Sequence, residues 1–513
     1  MSNNDSQMAL RYHRETSHSL QSLRSNAWRL DWSNRPIAYK IYSSLEPLPL
    51  PGDFAPLPTT AFDAIASAGL VFAGEQVPDV ETLARLCFFA NGITKRGHLA
   101  SGQAFALRAA ACTGALYHIE VYIICGDLPG LAAGVYHFGA HDNGLRQLRA
   151  GDFRQVLVQA TGNERSIASA PAMLICTSTF WRNAWKYQAR AYRHTFWDDG
   201  TILANFLAEA SSVQMPVRIV LGFVDETVNR LLAIDGQHEA AVNLIALGHT
   251  SKLSPEAPPV TPLHLPTQQL SPREYEFPLI PAMHAASSLL SGEEVAAWRG
   301  QPARRPLPPA NEPLIPLRPL DASVLPGDTV EEVIKRRGST RQFTREAISF
   351  EQLSTMLALS LQGIPADCLD ATGQLMSDLY LIVMAVDGLE AGTYVLHQKQ
   401  QALEPLKRGD FRAAAYHLAL DQDLGGDAAV NIYFLADLEP ILKRFGNRGY
   451  RAAQLEAAIV AGKLYLADYA LQSGATGLTF FDDEVTAFFS PHAVGKSVMF
   501  LMALGQPLKK RKL

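Results

Sequence analysis

The sequence predicts two copies of one mixed α and β domain in a single chain, and three observations carry that expectation. Four blocks recur in one register: "GLAAGVYHF" (130–138) as "GLEAGTYVL" (388–396), "LRQLRAGDFR" (145–154) as "LEPLKRGDFR" (403–412), "RAYRHTFWDDGTILANFLAEA" (190–210) as "RGYRAAQLEAAIVAGKLYLAD" (448–468), and "GFVDE" (222–226) as "FFDDE" (480–484). Tyr136 and Tyr394, Asp152 and Asp410, Tyr192 and Tyr450, and Asp225 and Asp483 each lie 258 positions apart, a constancy that chance does not produce. The length of 513 residues exceeds one ordinary core. A proline-rich stretch separates the copies.

Taken in order, residues 1–75 read as an N-terminal extension, 76–252 as the first domain, 253–325 as a connector and 326–513 as the second domain. The start, "MSNNDSQMALRYHRETSHS", is polar and lacks the apolar core of a secretory signal. In the first domain "IEVYIICGD" and "PAMLICTST" have the branched and aromatic content of buried strands, and "FRQVLVQATG" has helical spacing. "DDGTILANFLAEASSV" has the length and Ala/Leu content of a buried helix. The second domain answers with "DLYLIVMAV", "FRAAAYHLAL", "VNIYFLADL" and "AAIVAGKLYLADYALQS", so each half reads as α+β or α/β. The prolines of "SPEAPPVTPLHLPTQQLSPREYEFPLIPAMHAA" and "GQPARRPLPPANEPLIPLRPL" argue against continuous helix or sheet and favour an extended connector. Such a connector lets the halves pack as an intrachain pseudo-dimer.

Composition narrows the function class. Hydrophobic residues make up 48% and charged residues 19%, and the formal charge is only -5, so nucleic acid and anionic membranes are not expected partners. Cys87, Cys112, Cys125, Cys176 and Cys368 form no CxxC pair and no zinc spacing, which suits a reducing cytoplasm. No apolar run approaches the roughly 20 residues of a membrane helix.

Three stretches carry candidate chemistry. "IKRRGSTRQF" (334–343) sets Arg337, Ser339 and Arg341 at alternate positions, so guanidinium and hydroxyl donors can meet one anion; a solvated basic turn is the other reading. "LRAAACTGALYHIEVY" (107–122) puts Thr113, Gly114 and Ala115 before a strand, either for close approach to a planar ligand or as a plain tight turn. Its counterpart, "CLDATGQLMSDLY", keeps Thr372 and Gly373. Lys186 and Tyr187 pair an amine with a phenol: burial lowers a lysine's pKa and makes it a usable base, whereas an exposed Lys beside a packed Tyr would be inert. Adjacent residues do not share a helix face, so the pair is expected on a loop, a strand end or a helix start. The repeat supplies a comparison, because Arg444 and Phe445 occupy the same register. "AVGKS" (493–497) lacks the first glycine of a phosphate loop, and no GxGxxG, HExxH or GxSxG is present.

These blocks in order, with "YHRETSHS", "LDWSNRPIAYKIYSSLEPLPLP", "WKYQARAYRHTFWDDG", "RRGSTRQF" and "LIPAMHAASSLL", resemble the SagB/ThcOx-type dehydrogenases of the nitroreductase-like flavoproteins, in a tandem form. The resemblance implies an α+β fold with a central, mostly antiparallel sheet flanked by helices, and FMN at the interface of a two-fold assembly. It implies that Arg337, Ser339 and Arg341 hold the flavin phosphate; the C-terminal "KKRKL" reads, from its residues alone, as a frayed basic tail or as a second phosphate contact through Lys510 and Arg511 rather than as a nuclear-localisation-like run. Gly477, Leu478 and Thr479 would lie near the ring, as would Thr113, Gly114 and Ala115 from the other half, with Lys186 and Tyr187 managing protons. Cys112, Thr113 and Ala115 depart from the Ser and Gly usual in that turn. Since the phosphate motif survives only in the second half and Lys-Tyr only in the first, one FMN per chain is expected.

The function implied is FMN-dependent desaturation of a C–N or C–C bond in a peptide-derived or carrier-bound substrate, as when an azoline becomes an azole in natural-product biosynthesis. A cyclodehydratase or carrier protein would then be the biosynthetic partner. Two alternatives stand beside it: an NAD(P)H-dependent nitro or quinone reductase, and a degenerate flavin-binding scaffold in a peptide-modifying complex.

Overall fold

The computed structural model describes residues 3–67, 74–98, 102, 104–369 and 373–508. Thr372, Lys510 and Arg511 lie outside these described residues.

Each half is built on a seven-stranded sheet. The first runs in the order Leu48–Pro49, Gly144–Ala150, Gly134–Gly139, Ile119–Cys125, Ala172–Thr179, Glu239–Leu247, Val217–Val220. The second runs Ile315–Pro316, Ala402–Arg408, Gly392–His397, Ser377–Val383, Val430–Ala436, Ser497–Gly505, Gly474–Leu478. All neighbours within both sheets are antiparallel, which settles the fold as α+β rather than α/β. Strands Ile119–Cys125 and Ala172–Thr179 are buried along their whole length, as their unbroken apolar runs require.

The repeat register is visible element by element. Ile119 and Ser377, Gly134 and Gly392, Gly144 and Ala402, and Glu239 and Ser497 open equivalent strands 258 positions apart. One local departure corrects the sequence alignment. The link between long helix and edge strand has four residues in the first half (213–216) but three in the second (471–473), so the equivalent of Asp225 is Asp482, not Asp483. Helix Asp225–Leu232 accordingly matches Asp482–Phe489.

Two long helices, Ala191–Ser212 and Arg448–Ala470, are almost wholly buried and pack on each other. They meet through small residues: a Cβ on Gly200 would lie 2.5 Å from that of Ala458, and one on Gly462 would lie 2.5 Å from that of Ala204. Gly200 and Ala458, and Ala204 and Gly462, are repeat equivalents, so each position touches its own counterpart, as in an isologous dimer interface. Charges obey the same reciprocity. Asp482 of the second half pairs with Arg190 and Arg193 of the first, while Asp225 of the first pairs with Arg448 and Arg451 of the second. All six groups are buried, so the halves are locked by ion pairs that water scarcely screens.

The segments expected as extension and connector share in this reciprocity. Arg193 bonds Thr16 Oγ1 and the His13 carbonyl, and Arg451 bonds Ser287 Oγ and the His284 carbonyl. The proline-rich connector has no continuous helix but holds two short ones, Leu279–Ala286 and Gly292–Trp298, so it is not extended throughout. Pro281 is tolerated because it sits in the first turn, where amide hydrogens have no intrahelical partner.

Among the described residues no helix is long and apolar enough to cross a membrane. All five cysteines are free.

Candidate active site between the halves

Helix Phe180–Tyr187 ends at Lys186 and Tyr187, where Gln188 turns the chain with φ 52. The pair therefore sits at a helix end rather than a helix start. The final turn opens into Gln188–Arg190, which lets two consecutive side chains reach one space. That space is a cavity of about 350 Å³ lined by Lys186, Tyr187, Thr113, Gly114 and Ala115 from the first half, and by Ser339, Arg341, Gly477, Leu478 and Thr479 from the second. Its size falls in the roughly 300–1,000 Å³ range of small-molecule and cofactor sites. A larger cleft of about 720 Å³ lies against helix Asp225–Leu232 but holds none of the sequence-predicted residues.

The surroundings of Lys186 make its amine less basic than an ordinary lysine's. Its half-burial, followed by the positive charges of Arg35 and Arg341, lowers its proton affinity below that of an ordinary lysine. Nζ lies 5.1 Å from the Tyr187 ring centre and has no hydrogen-bond partner among the described residues. Burial, with Asp198 adding to it, raises the Tyr187 phenol above its usual value, so it stays protonated and able to donate. Gly114 adopts φ 66, and a Cβ there would lie 2.9 Å from Tyr187 Oη, so glycine is what permits the phenol's approach to the turn.

Asp198, one of the residues the sequence did not disclose, organises that turn. Its Oδ1 accepts from Thr113 N (2.8 Å) and Thr113 Oγ1 (2.7 Å). Its Oδ2 is 2.9 Å from His118 Nε2 and accepts from Cys112 Sγ (3.0 Å). Burial and this carboxylate push the Cys112 thiol well up, so the cysteine is an unreactive donor here. His194 stands edge-on to Tyr187 at 4.6 Å and is bonded through Nδ1 to Asn183 Oδ1 (2.8 Å). Burial, with Arg190 next in weight, holds its imidazole neutral. Trp197 and Phe500 complete an aromatic wall, with ring centres 5.4 Å apart.

On the second half, Tyr465 ties the predicted contacts together. Its hydroxyl accepts from Gly477 N (2.7 Å) and lies 3.4 Å from Ser339 Oγ. Thr340 N donates to the Ala475 carbonyl (2.9 Å), which lays the Arg-x-Ser-x-Arg segment along the edge strand. Arg341 is exposed at the cavity, whereas Arg337 is buried and does not line it. The Arg337 guanidinium crosses to the first half and donates to the carbonyls of Ala109 (2.9 Å) and Arg108 (3.4 Å).

This donor set fits a flat cofactor ending in a phosphate. A Cβ on Gly477 would approach Phe500 to 3.1 Å, so the strand edge keeps a bare face. The buried Thr479 Oγ1 has no partner, and Ser339 with Arg341 supplies a hydroxyl and a cation at one margin. No sequence signal marks Asp198, His194, Trp197, Tyr465 or Phe500, because their roles depend on which face of a wholly buried helix or strand meets the cavity.

No family model matches the chain. A protein of Methanocaldococcus jannaschii named for an inferred nitroreductase activity, MJ1384, is 25% identical over 153 residues, 30% of this chain and 73% of that one. A crystal structure from Anabaena variabilis, of a protein likewise named, superposes with a TM-score of 0.78 at 27% identity, covering 98% of this chain and 99% of that one. A chain of the Escherichia coli microcin synthetase McbBCD complex, with truncated pro-MccB17 bound, matches 48% of this chain and 93% of its own at 17% identity. Its TM-score is 0.32. The fold is nitroreductase-like, with both halves of the tandem present in the Anabaena structure, and these relatives support an oxidoreductase of that type.

Proposed function

We propose that the chain is an FMN-dependent dehydrogenase or oxidase that desaturates a C–N or C–C bond of a peptide-derived or carrier-bound substrate, conversion of an azoline to an azole being the reaction that fits best. The observation that carries this reading is the convergence of Lys186 and Tyr187 from one half with Ser339, Arg341 and Gly477–Thr479 from the other around a single cavity. When bound, FMN would supply the two-electron acceptor that none of these side chains provides.

The remaining work falls to the chain. Ser339 and Arg341 bind the phosphate end, and Thr479 Oγ1 offers a free hydroxyl toward the ring. Lys186 Nζ takes the proton from one atom of the bond being desaturated, while hydrogen leaves the other atom with its electron pair; burial and the neighbouring cations weaken the amine's hold on its own proton. Tyr187, protonated and held against Gly114, donates to the substrate and fixes its pose. The aromatic wall of His194, Trp197 and Phe500 keeps water from the reacting face. A cyclodehydratase or a carrier protein would deliver the substrate.

The test is anaerobic mixing of FMN-loaded protein with an azoline-bearing peptide. Bleaching of flavin absorbance by the peptide, and not by NADH or NADPH, supports the dehydrogenase. Rapid bleaching by NAD(P)H with none by the peptide would overturn it in favour of a reductase.

A further inference from the structure

A two-fold arrangement of halves has two places for a cavity of this kind, and the second is traceable residue by residue. At 258 positions' separation Lys186, Tyr187, His194, Trp197 and Asp198 become Arg444, Phe445, Ala452, Leu455 and Glu456. Through the one-residue deletion, Gly477, Leu478 and Thr479 become Val220, Leu221 and Gly222; both trios lie at the ends of edge strands that pair with equivalent partners.

The counterpart space is filled by the chain itself. Residues 365–367 lie along edge strand Val217–Val220: Ile219 N donates to the Pro365 carbonyl (2.7 Å) and Asp367 N to the Ile219 carbonyl (3.1 Å). The Asp367 carboxylate then accepts from Leu221 N and Gly222 N, both at 2.9 Å. These two amides correspond to those of Leu478 and Thr479 at the open cavity. Trp298, at the end of the connector helix, packs tilted against Phe445 with centres 5.0 Å apart and donates Nε1 to the Phe445 carbonyl (2.9 Å). Arg444 donates to the Arg299 carbonyl (2.7 Å). The fit is close: a Cβ on Gly222 would meet Asp367 Oδ2 at 2.9 Å and the Trp298 ring at 3.2 Å. Asp367 and Trp298 are both buried.

We infer that the counterpart site has been converted from a cofactor pocket into a joint, in which the Asp367 carboxylate takes the amides that would face a flavin and the Trp298 indole takes the ring's space. One flavin per chain follows, in the Lys186 cavity; this rests on the reading of that cavity as a flavin site. Where the open site leaves Thr479 Oγ1 without a partner, the closed one has the Leu221 and Gly222 amides bonded from within.

The test combines two measurements on the full chain. Protein saturated with FMN and desalted is denatured, and released flavin is counted against chain. Amide hydrogen exchange is followed with and without FMN over residues 218–224 and 476–481. The expected result is one flavin per chain, slow exchange at 218–224 that FMN does not alter, and FMN-dependent slowing at 476–481. Asp367→Ala should speed exchange of the Leu221 and Gly222 amides by at least about tenfold, the loss of one charge-assisted bond of ~1.5–3 kcal/mol. Two flavins per chain, slowing at 218–224 on adding FMN, or rapid exchange there in the unaltered protein would each overturn the closure. If no flavin binds, the flavin reading of the open cavity fails. The unaltered protein's exchange at 218–224 then still decides the joint, slow exchange supporting it and fast exchange overturning it.

Discussion

Lys186 is the side chain whose removal separates binding from chemistry. Lys186→Ala should leave FMN retention within about twofold and slow substrate-dependent flavin reduction by ~10²–10⁴, the usual span for a lost general base. Stopped-flow absorbance reads both. In the unaltered protein the rate should rise with pH along a limb whose midpoint lies below that of an ordinary lysine, because burial, Arg35 and Arg341 disfavour the ammonium form. Arg341→Ala should weaken FMN binding ~10- to 100-fold, a charge-assisted phosphate bond of ~1.5–3 kcal/mol, while thermal stability stays put, since Arg341 is exposed. Arg337→Ala should instead lower thermal stability, because Arg337 spends its guanidinium on the carbonyls of Ala109 and Arg108. The sequence made Lys-Tyr legible because the repeat offered Arg444-Phe445 as a control. It treated Arg337 and Arg341 alike, since burial is what separates them.

The two long helices were legible in length and burial but not in how they meet. Their closest approach depends on single small residues, Gly200 against Ala458 and Gly462 against Ala204, that look like ordinary helix-weakening glycines in a sequence. Gly200→Val should therefore cost ~1–3 kcal/mol by overpacking, seen as a lowered midpoint in thermal or urea unfolding, although glycine removal from a helix by itself favours the helix. The connector teaches the opposite lesson. Its prolines argue against continuous helix, and the short helix Leu279–Ala286 forms because Pro281 falls in its first turn, so proline position decides where a helix fits. The shift from Asp483 to Asp482 has a similar origin. A one-residue deletion in a turn leaves every neighbouring block aligned while moving one carboxylate by a position, and only its arginine partners reveal which aspartate does the pairing.

At the scale of the whole molecule, the halves are joined by reciprocal buried ion pairs. Asp482 is held far below the usual carboxylate range by Arg190 and Arg193 against the cost of burial. Its folded pKa is depressed, so its stabilisation is present above the unfolded value of 3.8 and is lost as pH falls through and beneath it. Acid unfolding should begin in that window, and Asp482→Asn should flatten the pH dependence there. Asp482→Ala should cost ~3–5 kcal/mol at neutral pH, because it strands two buried guanidinium groups. Chemical denaturation at pH 7 and pH 4 checks both. The duplicated architecture was readable from the repeat alone, whereas the ion pairs that fasten it needed three dimensions. Fusion also changes what inheritance permits. In a homodimer each substitution is written into both subunits at once, so a residue useful at one end of an interface has to be endured at the other. Here Tyr465, which bonds the cavity strand, is matched by Leu207, and Trp197 by Leu455. The tandem chain has two drafts of one surface and has been free to edit them separately.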